Sequence, residues 1–322
     1  MNNIHFYFLL SSVLLSIFFL INLKNFALHL NLIDNAINKI HQIDTPKFGF
    51  FLSIIILINI LFLFFFFEIS YNHICITIYI FIFSVIGYLD DRYDLSVKKR
   101  FLFSLIATSI FFLINPNNYY VSFLFNTYIN YLLLIFFTLG FIHLVNISDG
   151  INGYVPSLFL YSCLYYLFKG YPHLDFFFQI LILISIASIS IFVIPNFLGL
   201  CFLGNSGSYF ISILISLFYM DLYSNNVLEY SDILLIFFIP LIDGLRVTIK
   251  RIINGTSPFK GDFTHIHHLV RKKNFLKYIF FLQVFSPSFI NFFFRDFTIL
   301  IAICSAIIFS FFYIHLSSKI KN

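Results

Sequence analysis

Several short segments of this chain gather residue types that do polar chemistry, each set in an otherwise apolar sequence. The first is GYLDDRYDLSVKKR, 87–100, where Asp90, Asp91 and Asp94 stand within five residues. Spacings of three and four would put these carboxylates on one face of a helix. Grouped carboxylates repel one another unless a proton or a cation intervenes. Oxygen-rich clusters of this kind suit Mg²⁺ or Mn²⁺, which bind through a few carboxylates plus substrate phosphates. The bland alternative is a solvated helix end whose acids pair with Lys98, Lys99 and Arg100.

The second segment is NISDGINGY, 146–154, with Asn146, Asp149 and Asn152 at intervals of three and Gly150 and Gly153 among them. Glycine lets a backbone come close to a ligand, and amide and carboxylate groups can hydrogen-bond a planar polar group such as a base. An ordinary turn between two helices would use the same residue types. The third, LGNSGSYF, 203–210, places Gly204, Asn205, Gly207 and Ser208 where a helix would begin. Free N–H groups there could receive an anion, although a lone glycine-rich loop is weak support.

The longest segment is PLIDGLRVTIKRIINGTSPFKGDFTHIHHL, 240–269. Asp243 stands well inside an apolar run, which is costly for a carboxylate unless it faces a polar cavity or pairs with Arg246. Three histidines, His265, His267 and His268, follow within four residues beside Lys260 and Asp262. No cysteine or fourth ligand has zinc-site spacing nearby, so imidazoles facing phosphate are the better expectation. A weaker segment, NKIHQIDTPKFG, 38–49, offers Lys39, His41 and Lys47, which alone would pass for ordinary basic loop residues.

The elements that must carry these residues are membrane helices. Of 322 residues, 60% are hydrophobic and only 10% charged, with a mean hydropathy of +0.95. Soluble domains run near 45–50% apolar and about 25% charged. That balance excludes a secreted disulfide scaffold, a disordered tail protein and a nucleic-acid-binding domain. The fifty Phe, against no Trp, carry no mechanistic weight. Cys75, Cys163, Cys201 and Cys304 lie far apart and read as small apolar residues.

A helix needs ~20 apolar residues to cross the hydrocarbon core. The sequence predicts spans near 4–23, 48–67, 72–89, 101–115, 126–145, 154–168, 176–194, 208–220, 233–249, 278–292 and 298–316. The first lacks a basic leader and a small-residue cleavage site, so it is expected to be retained. Placing the N-terminus outside puts seventeen of the nineteen Lys and Arg residues in cytoplasmic connections, leaving only Lys169 and Arg295 outside. All the polar segments then fall on the cytoplasmic side. The expectation is one all-α domain over 1–322, a polytopic membrane helical bundle of about 10–11 spans with a cytoplasmic-face active site.

Carboxylates for a divalent ion, amides for a base, and histidines and lysines for phosphates suit a nucleotide diphosphate reacting with a lipid phosphate. In order and in spacing the set resembles the polyprenyl-phosphate N-acetylhexosamine-1-phosphate transferases, the superfamily that includes phospho-MurNAc-pentapeptide translocase. The resemblance runs from about Lys39 to His268. It rests on DDxxD at Asp90–Asp94, NxxDGxxG at Asn146–Gly153, and PLxDxLRVxxxR with SPFxxDxxHxHH at Pro240–His268. The last motif is closer to the bacterial enzymes that begin O-antigen, enterobacterial common antigen or teichoic-acid linkage units than to the translocase branch.

The resemblance implies transfer of a sugar 1-phosphate from a UDP-N-acetylhexosamine to undecaprenyl phosphate, with UMP released. It implies that Asp90 deprotonates the lipid phosphate, or alternatively attacks the sugar nucleotide itself, and that Asp91 holds Mg²⁺ (or Mn²⁺) with Asn205. Asn146, Asp149, Gly150 and Asn152 would contact the uridine end. Lys39, His265, His267 and His268 would face the diphosphate, while Asp94 and Asp243 match family positions without a defined role. Expected partners are the UDP-sugar, undecaprenyl phosphate and the surrounding bacterial inner-membrane lipid; a homodimer is left open and nucleic acid is excluded.

This chain departs from the family pattern at several points. Asn205 stands where the family has Asp, so weaker metal affinity is expected. Phe263 replaces an Arg before the histidines, and Asn152 replaces a common Asp. The alternatives are an aspartate-rich intramembrane prenyltransferase, a lipid transporter and a non-catalytic relative. The first expects a second aspartate-rich motif, which this chain lacks, and the second expects comparable polar residues on the outer side.

Overall fold

The computed structural model describes residues 2–35, 43–115, 127–170, 174–257, 265–270 and 274–321. It is helical almost throughout, and its contacts divide it into two compact units, Met1–Val227 and Leu228–Asn322. Lys39, Lys260, Asp262 and Phe263 lie outside the described residues, as do the side chains of His267 and His268.

In the first unit, α1 (Asn2–Ile21) and the short α2 (Leu23–Leu30) lead into two-residue strands β1 (Ile33–Asp34) and β2 (Thr45–Pro46), which pair antiparallel. Seven helices follow: α3 (Gly49–Phe66), α4 (Tyr71–Tyr93), α5 (Val97–Ile114), α6 (Thr127–Ser148), α7 (Tyr154–Gly170), α8 (Phe176–Phe197) and α9 (Gly204–Ser224). The second unit holds α10 (Tyr230–Ile236), α11 (Phe238–Ile253), α12 (Ile266–Val270), α13 (Asn274–Phe293) and α14 (Thr298–Lys321).

Every predicted span coincides with helix, and among the described residues seven helices are long and apolar enough to cross a membrane: α1, α3, α4, α6, α8, α13 and α14. The others are shorter or more polar; α5, for example, begins with Lys98, Lys99 and Arg100. Helices of this number, length and composition make the chain a multi-pass membrane protein. The span expected at 233–249 is broken, because α10 ends at Ile236 and α11 begins at Phe238. Pro240 explains the break. It has no N–H for the Ile236 carbonyl and its ring clashes with that group, yet it is tolerated in the first turn of a new helix.

Local chemistry sets several helix starts. The Ser70 hydroxyl accepts from the His73 N–H at α4, and the Asp175 carboxylate from the Phe178 N–H at α8. Glu229 and Asp232 form a reciprocal capping box at α10.

The core of the first unit is α9, which packs against α3, α4, α6 and α7, most extensively against α4. From Ser206 to Met220 every residue is buried. Its serines 206, 208, 212 and 216 are small, and small residues let apolar helices approach closely without a hydrophobic driving force between them. The approach is close at Gly87 of α4, where a Cβ would lie 2.4 Å from the Ser206 Cα. The first turn of α9 is thereby pressed against the last turns of α4.

Candidate active site

The sequence motifs of the first unit meet at one end of its bundle, where α4 and α6 finish and α9 begins. Asp91 is the centre of the junction. Its side chain is fully buried and sits over the start of α9. Oδ1 accepts from the Asn205 N–H at 2.9 Å, and Oδ2 accepts from the Ser206 N–H at 2.8 Å and the Ser206 hydroxyl at 2.7 Å. The orphan donors of a helix start attract negative charge, and here a carboxylate from another helix satisfies them. Gly204 makes the fit feasible: its φ is +72°, and a Cβ there would lie 2.8 Å from Asp91 Oδ2.

The remaining contact of Asp91 is Lys47, whose Nζ lies 2.9 Å from Oδ1 and 3.3 Å from the Asp91 carbonyl oxygen. Lys47 is delivered by a backbone fixed on both sides. Its N–H donates to Leu32 O, the Phe48 N–H to Phe202 O, the Gly49 N–H to Leu203 O, and the Phe202 N–H to Pro46 O. The loop before α3 is thus sewn to the loop before α9.

Asp90 turns elsewhere. It is buried, accepting from the Leu95 N–H at 3.0 Å and from Arg100 Nη1 at 3.1 Å. Asp94 caps α4 in a left-handed conformation with φ of 52° and is exposed. The three carboxylates therefore do not share a helix face as their spacing suggested. The helix ends between them, and each meets a different environment.

Asn146, in the last turn of α6, donates from Nδ2 to Asn205 Oδ1 at 3.0 Å and to the Ser208 hydroxyl at 2.8 Å. Asp149 follows in the turn between α6 and α7. Burial, and then the neighbouring Asp91 carboxylate, push its carboxyl well above the ordinary carboxylate range. Gly150 lies in the same turn, but the left-handed backbone belongs to Gly153, with φ of +83°. The Gly153 N–H donates to Asn196 Oδ1, and Asn196 in turn donates to Cys201 O at 2.9 Å. Asn152 lies beside Gly199 in the loop after α8. The structure therefore brings Asp91, Asn146, Asp149 and Asn205 together.

The residues at this junction do not fit a divalent cation as they stand. An ionised carboxylate has about four acceptor positions, and those of Asp91 are taken by four donors. Asn205 Oδ1 already accepts from Asn146. Among the described residues no three His, Cys, Asp or Glu side chains converge as a metal-binding group. Mg²⁺ shared by Asp91 and Asn205, expected from the resemblance, would have to displace Lys47.

In the second unit, Asp243 and His265 form a buried pair. Asp243 Oδ1 accepts from Arg246 Nη2 at 2.7 Å and Nε at 3.2 Å, and Oδ2 faces His265 Nδ1 at 3.0 Å. The Ile266 N–H also points at the carboxylate, at 3.3 Å. Arg246 stacks over Tyr313, 3.8 Å from the ring centre. Through these contacts Asp243 ties the start of α12 to α11.

Residues that sequence reasoning undervalued are Lys47, Arg100, Ser206 and Asn196. Only Lys47 and Arg100 carried any signal, as charges flanking motifs, and neither spacing nor type distinguished them from basic loop residues.

Over 213 residues the chain is 30% identical to the undecaprenyl-phosphate alpha-N-acetylglucosaminyl 1-phosphate transferase of Escherichia coli O157:H7, covering 59% of this chain and 56% of the relative. Over 208 residues it is 27% identical to the Yersinia pestis protein of the same name, again covering 59% and 56%. A probable undecaprenyl-phosphate N-acetylglucosaminyl 1-phosphate transferase of Bacillus subtilis strain 168 is 25% identical over 259 residues, 76% of this chain and 71% of the relative. The match thus spans little more than half the length of the enterobacterial relatives. Residues 73–223, from α4 through α9, match the family described as glycosyl transferase family 4. Over α4 to α9 the chain is thus similar to glycosyl transferase family 4, and in its wider sequence to undecaprenyl-phosphate N-acetylglucosaminyl 1-phosphate transferases, in line with the family its motifs resemble.

Proposed function

We propose that this protein transfers an N-acetylhexosamine 1-phosphate from a UDP-sugar to undecaprenyl phosphate, starting a cell-surface glycan of the O-antigen or teichoic-acid type. The observation that carries this reading is the junction of Asp91, Asn146, Asp149 and Asn205, three separate motifs in contact inside the stretch that matches the family. The names of the relatives supply the acceptor lipid and the sugar phosphate.

An oxygen of the lipid phosphate attacks the sugar-bearing phosphorus of the donor. The bond from that phosphorus to the bridging oxygen breaks, and UMP leaves with the bridging oxygen. A phosphate monoester has its second pKa near 6, so the acceptor needs little deprotonation. Asp90 is the proposed proton acceptor, with Arg100 as its counter-charge. Asp149 is the other carboxyl in the site proposed to handle a proton, because burial and the neighbouring Asp91 raise its affinity for one. As the resemblance implies, Asn146 and Asn152 would hold the uracil end, and Lys39, His265, His267 and His268 would serve the diphosphate. The basic connections argue for a cytoplasmic site in a bacterial inner membrane with the N-terminus outside.

The test is purified protein with undecaprenyl phosphate, Mg²⁺ and a panel of UDP-sugars, followed for UMP. Release with a UDP-N-acetylhexosamine, abolished in Asp90→Asn, is expected. No release with any amino-sugar nucleotide would overturn the assignment. One observation favours a second reading, a non-catalytic relative: Asn205 carries no charge and Asp91 is already saturated. The same assay separates the two.

A further inference from the structure

The contact between Lys47 and Asp91 bears on how a divalent ion can reach this site at all. Three of the four donors to Asp91 belong to the first turn of α9 and are part of the fold. The fourth, Lys47 Nζ, is the one that can leave. It is no wandering surface lysine. Its side chain is 17% exposed, and hydrogen bonds at residues 46–49 hold its backbone to the loop before α9.

The second expected metal ligand, Asn205, brings a neutral amide already engaged by Asn146. Exchanging an ammonium for a divalent ion here adds one positive charge with no second carboxylate in contact to absorb it. We propose that Lys47 is a built-in competitor for the divalent cation at Asp91, a tethered ammonium that must be displaced before Mg²⁺ or Mn²⁺ can bind. The proposal rests on the transferase reading only for the purpose of that metal. The competition is a property of the protein without substrate, and it can hold or fail independently of UMP release.

The first measurement is Mn²⁺ binding to the detergent-solubilised full chain, read by electron paramagnetic resonance of the free ion. Lys47→Met should tighten binding about ten-fold or more, the fold-change that corresponds to one lost charge-assisted hydrogen bond. Lys47→Arg should stay near the parent protein. Adding Asp91→Asn to Lys47→Met should remove the gain. Asn205→Asp should tighten binding while Lys47 is still present. Unchanged or weaker Mn²⁺ binding in Lys47→Met overturns the proposal, as does a gain that survives Asp91→Asn or no measurable binding in any variant.

The second measurement uses the unsubstituted protein, in case Lys47→Met does not fold. A displaced ammonium is freer to react, so acylation of Lys47 by an amine reagent, followed by peptide mass spectrometry, should quicken as Mn²⁺ is raised to saturation. A rate that does not change with the ion overturns the proposal. Competition without UMP release for any sugar nucleotide would instead sink the transferase reading and leave this one standing.

Discussion

Asparagine at position 243 is the sharpest probe of the second unit. The substitution keeps the shape of Asp243 and one oxygen but turns the other oxygen into an NH₂ donor. Asp243 is 5% exposed and meets donors on both sides, the Arg246 guanidinium and His265 Nδ1. If the amide oxygen stays on Arg246, the NH₂ faces Nδ1, and the imidazole can meet it only as an acceptor. The ring proton must then move to Nε2, reversing the tautomer. One charge-assisted hydrogen bond is lost, about 1.5–3 kcal/mol. Arg246 keeps its place over Tyr313, and its side chain is 20% exposed, so solvent screens much of its own loss. The sum is about 2–4 kcal/mol. At about 2–4 °C per kcal/mol, the melting midpoint should fall by roughly 5–15 °C. The chain has no Trp, so helix content by far-ultraviolet circular dichroism is the suitable signal. A double-mutant cycle of Asp243→Asn with His265→Asn should return a coupling of about 1.5–3 kcal/mol. Additive effects and a midpoint within about 1 °C of the parent would refute the clamp.

Other consequences are equally direct. Gly204→Ala places a side chain in the left-handed region at φ +72° and 2.8 Å from Asp91 Oδ2. It should cost about 1–2 kcal/mol from the backbone alone, more with the clash, and a melt that matches the parent would contradict the packing. Asp149 has its proton affinity raised by folding, so the native state loses stability as pH rises from the unfolded carboxyl value toward the native one. Asp149→Asn should therefore raise the melting midpoint at pH 7, with the gain fading toward pH 4; a gain that grows on acidification would reverse the sign. Asp232→Ala leaves Arg295 and Asn291 without the buried carboxylate they reach at 2.6 Å and 3.2 Å. Because Arg295 is 43% exposed and solvent takes up much of its charge, the substitution should cost about 1–3 kcal/mol, visible as loss of monodisperse protein on mild heating.

The helices were legible because apolar length is a blunt signal. Each expected span is found as helix, and the one interrupted span carries its reason in Pro240. The meeting of Asp91, Asn146 and Asn205 was legible too, since three polar motifs at successive helix ends on one side of a bundle have few other places to go. What spacing could not show was direction. Asp90 and Asp94 look like neighbours on a helix, but α4 stops at Tyr93 and Asp94 turns left-handed. Gly150 and Gly153 look interchangeable, but only Gly153 takes a positive φ. Lys47 reaches Asp91 across 44 residues of sequence, a contact that follows from loop pairing rather than from any local pattern. A single basic residue after a proline is what positive-inside bias produces anyway.

Charge compensation orders the whole junction. A carboxylate buried at the end of a membrane bundle must be met by donors, a counter-charge or a proton. Asp91 has helix-start donors and Lys47; Asp90 has Arg100 and a backbone N–H. Asp149 has no hydrogen-bond or ion-pair partner among the described residues, and its raised proton affinity is the consequence. It is therefore the acid in this cluster whose charge depends most on what enters the site. A cationic or hydrogen-bond-donating ligand arriving beside it would release its proton, whereas Asp90 and Asp91 would first have to part with partners they already hold. Asp91 thus secures the architecture of the junction, Asp90 is held in place beside Arg100, and Asp149 keeps a carboxyl available to a ligand.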